Sequence, residues 1–340
     1  MKKKYELTDE TMKYAGHVLH RIKALVSFAD VKEGDLGGWI ENESNLSHLG
    51  NAWVYGDARV YGNAVVSDDA KVYGHAVVSG CAEVYGHAVV SGNAEVSGNA
   101  EVSDNAEVSG CVRVSDNAIV SDDVGVYGHA EIYGHAVVSG NVVVSDNAEV
   151  YGGARVSDNA RVSDDAEVHG YAVVSGNVVV YGNAVVYGNA EVSGCAEVSG
   201  CAEVYGHAVV YGNAVVSGCA VVSDNAEVYG GARVSGCARV FGTAEVSDDA
   251  VVSGNAEISG CARVSSINDY ITFKNFWSSG RFFTWTRSNN KWKVGCFYGL
   301  GDELISKAYE DSQKSGREYE RVVKYVERIL HDEKLRMNNK

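Results

Sequence analysis

The sequence predicts an all-β protein whose middle is a solenoid of short parallel strands, and three observations predict it. From Asn51 to Ser266 a six-residue unit recurs 36 times without an insertion. Within each unit the second residue is Ala or Val and the fourth is Val or Ile. Glycine or aspartate ends every unit except the last. A period this short is typical of stacked architectures in which each repeat contacts mainly its neighbours.

The two apolar columns identify the unit as a strand. A helix turns by about 100° per residue, so a six-residue step would scatter the valines over several directions. A strand alternates its faces, which places the second and fourth residues inward and the third residue outward. Each unit is therefore predicted to be a short strand followed by a turn.

The sixth column predicts the turn. Glycine occupies it in 26 units and aspartate in nine, and each of these aspartates is followed by Asn or Asp, as at Asp104 and Asn105. Glycine adopts positive φ without steric cost, and Asn and Asp tolerate that conformation better than other residues. We expect glycine to take positive φ itself, and an aspartate in this column to leave that role to the residue after it.

Residues 1–50 precede the repeats and are predicted to form an N-terminal β cap. A solenoid must cover its first open coil with apolar bulk. Trp39, Ile40 and Leu46 are placed to supply that bulk.

Residues 267–340 leave the six-residue period and are predicted to form a C-terminal α+β cap of β-hairpins and two helices. Aromatic and polar residues alternate over residues 270–300, and Ser288-Asn289-Asn290 is a hairpin turn signal. Residues 302–311 are predicted to be a helix. A capping-box pattern from Ser315 to Glu318 predicts the start of a second helix.

The same segment also fits a partner-binding or nucleic-acid-binding module. Basic residues alternate there with tryptophans, an arrangement that suits stacking on bases beside charge contacts to a phosphate backbone. The residues concerned are Lys274, Arg281, Arg287, Lys291 and Lys293 with Trp277, Trp285 and Trp292.

The repeat resembles the hexapeptide repeat of the left-handed parallel β-helix superfamily. That resemblance implies three units for each triangular coil, about 12 coils over residues 51–266, and a left-handed course. The spacing of the aromatic residues alone fits three or four units per coil. Residues 24–56, with the run from Asp30 to Ile40 and the segment Gly50 to Val54, resemble the start of uncharacterised bacterial and prophage hexapeptide-repeat proteins that carry a transferase label.

Charge is concentrated in the repeats, which hold 27 acidic and 8 basic residues. A net charge of −19 over these residues is expected to repel nucleic acid and anionic membranes. We expect no secretory signal and no bilayer-spanning segment. Seven of the eight cysteines lie in turn columns, a pattern of small-residue substitution that favours a reduced, cytoplasmic protein.

With three units per coil, the sequence predicts one candidate binding surface. Three outward glutamates stack on one face beside a row of aromatic residues. Like charges opposite one another in a ladder are destabilising, so a cation or a basic partner would offset them. A solvated acidic face is the alternative interpretation. The candidate residues are Glu131, Glu149, Glu167, Tyr133, Tyr151, His169, Tyr187 and Tyr205.

Enzymatic function is a second possibility, implied by the resemblance. Many hexapeptide-repeat relatives are trimeric acyltransferases that place CoA along the prism and use a histidine as general base near a loop that leaves the coil. Six histidines lie in this array, five of them in turn columns, and no loop interrupts the repeats. We therefore assign no catalytic residue, and acetyl-CoA or another acyl-CoA is expected only under this alternative. The column of Cys201, Cys219 and Cys237 offers soft ligands to a thiophilic ion, but such a column does not converge on one point, and no metal site is assigned.

The interpretation that the sequence favours is a non-enzymatic structural scaffold or protein-binding rod. The resemblance of residues 24–56 to prophage proteins implies a prophage connection. A third alternative is an acidic nucleic-acid mimic. Twelve outward valines in the third column predict self-association. The resemblance to hexapeptide-repeat proteins, many of which are trimeric, implies that the assembly is a homotrimer. A protein partner is expected on the acidic shaft or on the C-terminal cap, with no membrane partner and with nucleic acid disfavoured.

Overall fold

The protein is a parallel β-solenoid in the computed structural model, which describes residues 3–338 and the side chains of residues 3–336. The chain divides into an N-terminal unit, residues 1–212, and a C-terminal unit, residues 213–340. The predicted all-β solenoid with an N-terminal β cap and a C-terminal α+β cap is confirmed.

The N-terminal unit begins with β1 (Tyr5–Tyr14), β2 (His17–Ala24), β3 (Leu36–Ile40) and a 3₁₀ helix (Glu43–Asn45). The repeats then form two-residue strands, numbered β4 onward in chain order, which lie on three faces. The first face carries Trp53–Val54, Lys71–Val72, Val89–Val90, Glu107–Val108, Gly125–Val126, Val143–Val144, Arg161–Val162, Val179–Val180 and Glu197–Val198. The second carries Arg59–Val60, Val77–Val78, Glu95–Val96, Arg113–Val114, Glu131–Ile132, Glu149–Val150, Glu167–Val168, Val185–Val186 and Glu203–Val204. The third carries Val65–Val66, Glu83–Val84, Glu101–Val102, Ile119–Val120, Val137–Val138, Arg155–Val156, Val173–Val174, Glu191–Val192 and Val209–Val210, which is β30.

The C-terminal unit continues the same pattern with β31 to β39 before the cap begins. These strands are Val215–Val216, Val221–Val222, Glu227–Val228, Arg233–Val234, Arg239–Val240, Glu245–Val246, Val251–Val252, Glu257–Ile258 and Arg263–Val264. A 3₁₀ helix (Ile267–Asp269) leads into β40 (Tyr270–Lys274), β41 (Phe282–Thr286), β42 (Lys291–Val294) and β43 (Phe297–Gly299). Two helices follow, α1 (Gly301–Asp311) and α2 (Gln313–Asn338).

Each coil contains three repeat units. Within both units, strands pair in parallel with the strand 18 residues later, as Glu131 does with Glu149, and Arg233 with Val251. The amides of the first, third and fifth columns donate to carbonyls of the next coil, for example Val65 N–H to Ala82 O at 2.9 Å. This register decides between the three-unit and four-unit coils that aromatic spacing leaves open.

Alanine and valine fill the interior. The Ala residues of the second column and the Val or Ile residues of the fourth column are 0 or 1% exposed, from Ala52 to Val264. The outward third column is mostly exposed or partly exposed, as the strand alternation requires. Burial of apolar surface stabilises the folded state by about 25 cal/mol per Å². Because this burial is repeated at every coil, it is the main stabilising contribution to this narrow core.

The turn differs from its prediction at the aspartates. All nine aspartates of the sixth column adopt positive φ themselves, between 54° and 64°, and the residues that follow them do not. The amide of the second column donates back to the carbonyl of the fifth, as Ala118 does to Ser115 at 3.3 Å. Positive φ at the first central position alone is the pattern of a type II′ turn, which both kinds of corner therefore share.

A side-chain hydrogen bond explains why aspartate is accepted at this position. The Asp116 carboxylate accepts the Gly134 amide of the next coil at 3.1 Å, and Asp158 accepts the Gly176 amide at 3.0 Å. A bond to an ionised acceptor stabilises by about 1.5–3 kcal/mol. It therefore offsets the roughly 1–2 kcal/mol that a left-handed conformation costs a non-glycine residue.

The N-terminal cap supplies hydrogen-bond donors to the first coil, whose carbonyls have no preceding coil. Trp39 and Glu41 donate their amides to Ala58 O and Val60 O at 2.9 and 3.1 Å. On the third face, the Asn45 side chain donates to Gly62 O at 3.0 Å and to Ala64 O at 2.9 Å. The predicted cap residues Trp39, Ile40 and Leu46 are all buried.

Lys4 completes this cap on the first face. Its ammonium donates to Ala52 O at 2.8 Å and is 5.0 Å from the centre of the Phe28 ring. The residue is only 4% exposed. Burial lowers the pKa of Lys4 to about 8, with Asp69 opposing the shift.

The C-terminal cap supplies acceptors to the last coil, whose amides have no following coil. Thr284 Oγ1 accepts the Glu257 amide at 2.9 Å, and Ser288 Oγ accepts the Arg263 amide at 2.7 Å. The Asp269 carboxylate accepts the Ser265 amide at 2.9 Å. The N-terminal cap therefore supplies donors and the C-terminal cap supplies acceptors, as the polarity of the parallel ladder in each unit requires.

The cap has its own core between the antiparallel sheet and the two helices, built on Phe283, Trp285, Trp292, Tyr319 and Val323. The predicted helix over residues 302–311 and the hairpin turn at residues 288–290 are confirmed. The predicted capping box at Ser315 is wrong. Helix α2 begins at Gln313, and Ser312 Oγ accepts the Ser315 amide at 3.0 Å.

Replacement of the buried cap lysine is expected to destabilise the protein. Lys4→Met leaves the Ala52 carbonyl without its donor, at a cost of about 1–3 kcal/mol, whereas Lys13→Met on the exposed end of the hairpin is the matched control and costs less than about 0.5 kcal/mol. Urea unfolding of the full chain measures both. Equal losses for the two variants would contradict the role of Lys4.

A comparison of the wild type with Lys4→Met also tests the lowered pKa of Lys4. Because the folded value of about 8 lies below the unfolded value of about 10.4, the unfolded state binds more protons between these limits. The stability of the wild type relative to Lys4→Met therefore rises as pH increases from 8 to 10, and is constant below that range. A stability difference between the wild type and Lys4→Met that stays constant from pH 8 to pH 10 would contradict the lowered pKa of Lys4.

The aspartate corner is tested by two substitutions at one site. Asp116→Ala keeps the left-handed strain and loses the bond to Gly134, so it destabilises by about 1–2 kcal/mol. Asp116→Gly loses the same bond but removes the strain, so its loss is less than half as large. Equal effects in urea unfolding would show that the corner carries no strain.

Candidate functional site

The predicted aromatic row is a continuous stack on one corner of the N-terminal unit. Its members follow strands of the second face in five successive coils. The ring centroids of Tyr133, Tyr151, His169, Tyr187 and Tyr205 are separated by 4.8, 4.6, 5.2 and 4.8 Å in chain order. The angles between successive rings are 3°, 8°, 10° and 17°. We call these five residues the aromatic ladder.

The glutamates stand beside the ladder on the second face. Glu131 pairs in the sheet with Glu149, and Glu149 with Glu167. The structure therefore brings together all eight residues of the predicted surface. We call the three residues the glutamate column.

Two tyrosine hydroxyls bridge the ladder to the glutamate column. Tyr133 OH donates to Glu149 Oε2, and Tyr151 OH donates to Glu167 Oε2, both at 3.0 Å. Each bond joins a fifth-column tyrosine to a third-column glutamate 16 residues later, in the next coil. The same 16-residue bond joins Tyr181 to Glu197 at 2.7 Å. A search of the sequence for Tyr and Glu at this lag would have found these pairs.

The repulsion expected within the column is partly offset inside the chain. The Arg113 guanidinium lies 3.7 Å from a Glu131 carboxylate oxygen. Glu149 and Glu167 accept the tyrosine hydroxyls instead. A bound cation is therefore not required to hold the column, although its carboxylates remain partly exposed to solvent.

The pKa shifts within the ladder favour the uncharged form of each shifted group. Burial, followed by the hydrogen bond to Glu167, raises the pKa of Tyr151 to about 12, and burial with the bond to Glu149 raises that of Tyr133 further. Burial lowers the pKa of His169, against the opposing effect of Glu167 and Glu149. An uncharged imidazole stacks between two phenol rings without placing a cation among them.

The stacking decides which ligands this surface suits. The faces of Tyr151, His169 and Tyr187 are covered on both sides by neighbouring rings, so they offer no platform to a sugar, a base or an ammonium group. Ring edges and the adjacent carboxylates face solvent. The chemistry of the surface is thus that of an acidic, hydrogen-bond-accepting strip.

Other residues singled out in the sequence occupy less specialised positions. The corner histidines His75, His87, His129, His135 and His207 are exposed. All eight cysteines are free and exposed. Among the described residues, no three His, Cys, Asp or Glu side chains gather as a metal site would require.

The basic and aromatic alternation of the C-terminal segment is mainly structural. Trp285 and Trp292 are each 2% exposed and belong to the cap core, whereas Trp277 is 65% exposed. Arg287 pairs with Glu333 at 2.9 Å, and Lys293 with Glu257 at 3.7 Å. A surface of alternating stacking rings and free cations is therefore not formed.

Sequence reasoning missed a cleft in the C-terminal unit. It has a volume of about 630 Å³ and is lined by residues of β40 and α2 and by Trp277. Its lining contains no histidine or cysteine and is largely apolar.

Three segments of the chain match a family model described as the YdcK β-solenoid repeat, at residues 52–68, 154–170 and 202–218. Each match is close to one 18-residue coil in length, and together they span well under half of the chain. They agree with the observed fold in identifying a β-solenoid repeat protein. No curated protein matches the sequence.

No helix in the described part of the chain is long and apolar enough to cross a bilayer.

The presence of His169 in the aromatic ladder predicts that the stability of the protein depends on pH. Because the folded pKa of His169 lies below the unfolded value of about 6.5, the unfolded state binds more protons just below that pH, and stability falls as pH decreases through it. His169→Tyr removes this titration and retains an aromatic rung.

Urea unfolding at pH 7.5 and pH 5 checks this expectation. The stability of His169→Tyr relative to the wild type should increase at the lower pH, while the other histidines contribute equally to both proteins. A difference that stays constant between the two pH values would contradict a neutral histidine in the stack.

Proposed function

We propose that this β-solenoid repeat protein is a non-enzymatic scaffold or protein-binding rod, whose acidic shaft recognises a basic protein partner. The observation that carries the proposal is the glutamate column beside the aromatic ladder. It presents carboxylates in a fixed register on a rigid parallel sheet. Three acidic side chains on one face hold a strip of charge that a row of Lys or Arg side chains complements.

The surrounding charge supports a basic partner. Residues 51–266 carry a net charge of −19. Such a field steers cationic surfaces toward the shaft and weakens steeply with salt. A nucleic-acid mimic would use the same charge, but carboxylates at the strand spacing of about 4.8 Å are only a rough match to phosphates.

The histidines give less support to the acyltransferase alternative. The five corner histidines are exposed, and His169 is a rung of the ladder. A small substrate is usually held in a concave pocket, and the unbroken repeats provide no loop to form one on the shaft.

The proposal includes the finer placement of the repeat among left-handed hexapeptide-repeat proteins, which three six-residue units per coil support. Eight free cysteines support a reducing, cytoplasmic location.

A homotrimer is also part of the proposal, with outward valines such as Val137 and Val143 at the contact. Sedimentation analysis of the full chain measures its mass, and a monomer would remove this part.

Charge removal on the glutamate column tests the shaft function. The probe is a synthetic twelve-residue peptide rich in Lys and Arg, titrated against the full-length protein. Glu149→Gln with Glu167→Gln keeps acceptors for the tyrosine hydroxyls but removes two charges. We expect about tenfold weaker binding at low salt, as for loss of roughly 1.4 kcal/mol.

The matched control is Glu83→Gln with Glu191→Gln, which removes two exposed charges from the third face. It should weaken binding by less than about twofold. If both pairs have the same effect, the peptide responds only to net charge and the column is not a recognition surface. Failure of the peptide to bind the wild type would also contradict the proposal.

A further inference from the structure

The cleft of the C-terminal cap lies beside an unpaired strand edge. Strand β40 is the first of the four antiparallel strands, and within the described residues it pairs only with β41. Helix α2 forms the opposite wall with Glu318, Arg321, Val322 and Tyr325. Their spacing of three, four and seven residues is that of one helical stripe.

The register identifies which main-chain groups of β40 are free. Asn275 donates to Arg281 O at 2.9 Å, and Arg287 donates to Asp269 O at 2.7 Å. Hydrogen-bonded pairs alternate along an antiparallel ladder, so Ile271 and Phe273 direct their main-chain groups toward β41. The amides and carbonyls of Tyr270, Thr272 and Lys274 therefore point away from the sheet.

Side chains support the same assignment. Ile271 and Phe273 pack toward the cap core on the side of α2. Thr272 Oγ1 lies 3.5 Å from Thr284 Oγ1, on the opposite face of the sheet. Thr272 nevertheless lines the cleft, so it does so through its main chain.

Apolar surface is exposed at this place. Trp277 and Tyr325, which both line the cleft, are 65% and 58% exposed. Large exposed aromatic groups around a concave, apolar wall are typical of protein contact sites. The free donors and acceptors of β40 specify an extended chain as the complement, because a helix or a lipid cannot pair with them.

The charge around the cleft selects the kind of chain. Arg321 is paired with Glu318 at 2.8 Å, so these two lining charges offset each other. Lys314 and Arg328 lie on the same stripe of α2, seven residues to either side of Arg321. Lys274, on the face of β40 opposite α2, faces the side chains of an added strand that point away from α2. A second copy pairing through its own β40 would bring two basic rims together, whereas an acidic chain complements the rim.

We infer that the C-terminal cap is a docking site for an acidic, extended segment of a partner protein, which adds as a strand to β40 and inserts alternate apolar side chains against Val322, Tyr325 and Trp277. An added strand lies about 4.8 Å from β40, and every second side chain then faces α2. This site is separate from the glutamate column, so it does not depend on the proposed shaft function.

Peptide titration of the full-length protein tests the inference. The probes are fluorescent twelve-residue peptides that alternate Val with Glu, or Val with Lys, followed by anisotropy. We expect the Glu peptide to bind with a dissociation constant in the micromolar range and the Lys peptide to bind at least about tenfold more weakly.

Variants locate the contact. Thr272→Pro removes an outward amide, which an edge strand tolerates, and should abolish binding. Tyr325→Ala and Trp277→Ala should each weaken it about tenfold or more. Phe276→Ala, which is 75% exposed but does not line the cleft, is the matched control and should change it less than about twofold.

A Glu peptide with N-methyl groups on alternate residues probes the same hydrogen bonds without altering the protein, and it should fail to bind whether or not Thr272→Pro folds. The inference is overturned if the Glu peptide does not bind at about 1 mM, or if N-methylation leaves binding unchanged. It is equally overturned if Phe276→Ala matches Trp277→Ala. A dimer of the free protein that Thr272→Pro dissociates would identify a second copy as the occupant instead.

Discussion

A parallel ladder of hydrogen bonds has two chemically different ends, and the structure depends on satisfying both. Each coil donates its amides to the next, which leaves carbonyls unpaired on the first coil and amides unpaired on the last. Buried main-chain groups without partners cost about 1–3 kcal/mol each, so a stack of identical repeats cannot simply stop. The N-terminal cap supplies hydrogen-bond donors to the first coil from Lys4, Asn45 and the strand at Trp39. The C-terminal cap supplies oxygen acceptors to the last coil from Thr284, Ser288 and Asp269.

Within the N-terminal unit, the repeats satisfy many of their own polar groups. Corner aspartates accept amides of the following coil, and Asn99 donates to Asn117 at 3.0 Å in the turn column. Tyrosines donate to glutamates one coil ahead and stack on one another. The result is a surface with few unused hydrogen-bonding groups, so the proposed recognition of a partner by the repeats relies on charge. Unpaired main-chain groups and exposed aromatic rings occur together at the β40 edge, and the docking site inferred for the C-terminal cap relies on them instead.

The sequence predicted the repeat well because strict columns of Ala and Val leave only one arrangement of inward and outward residues. It also predicted the stacked aromatic ladder and glutamate column, since equal spacing brings equivalent positions together once the coil length is assumed. The coil length itself came from resemblance, because adjacent coils contribute no local signal. The positive φ of Asp116 was assigned to the wrong residue, since a carboxylate's partner in the next coil is invisible in a local pattern. The start of α2 was misplaced because both Ser312 and Ser315 fit the N-cap preference. The cleft beside β40 was missed because sheet order, unlike strand position, is a tertiary property.

The matching of ladder ends to caps is tested most directly by hydrogen exchange of single amides in the intact protein. The amides of Glu257, Arg263 and Ser265 belong to the last coil, and their acceptors are side chains of the cap. The account predicts that they exchange as slowly as amides such as Val221 and Glu227 of the preceding coils, which bond to carbonyls of the ladder. Fast exchange at all three positions, as at a solvated sheet edge, would contradict it.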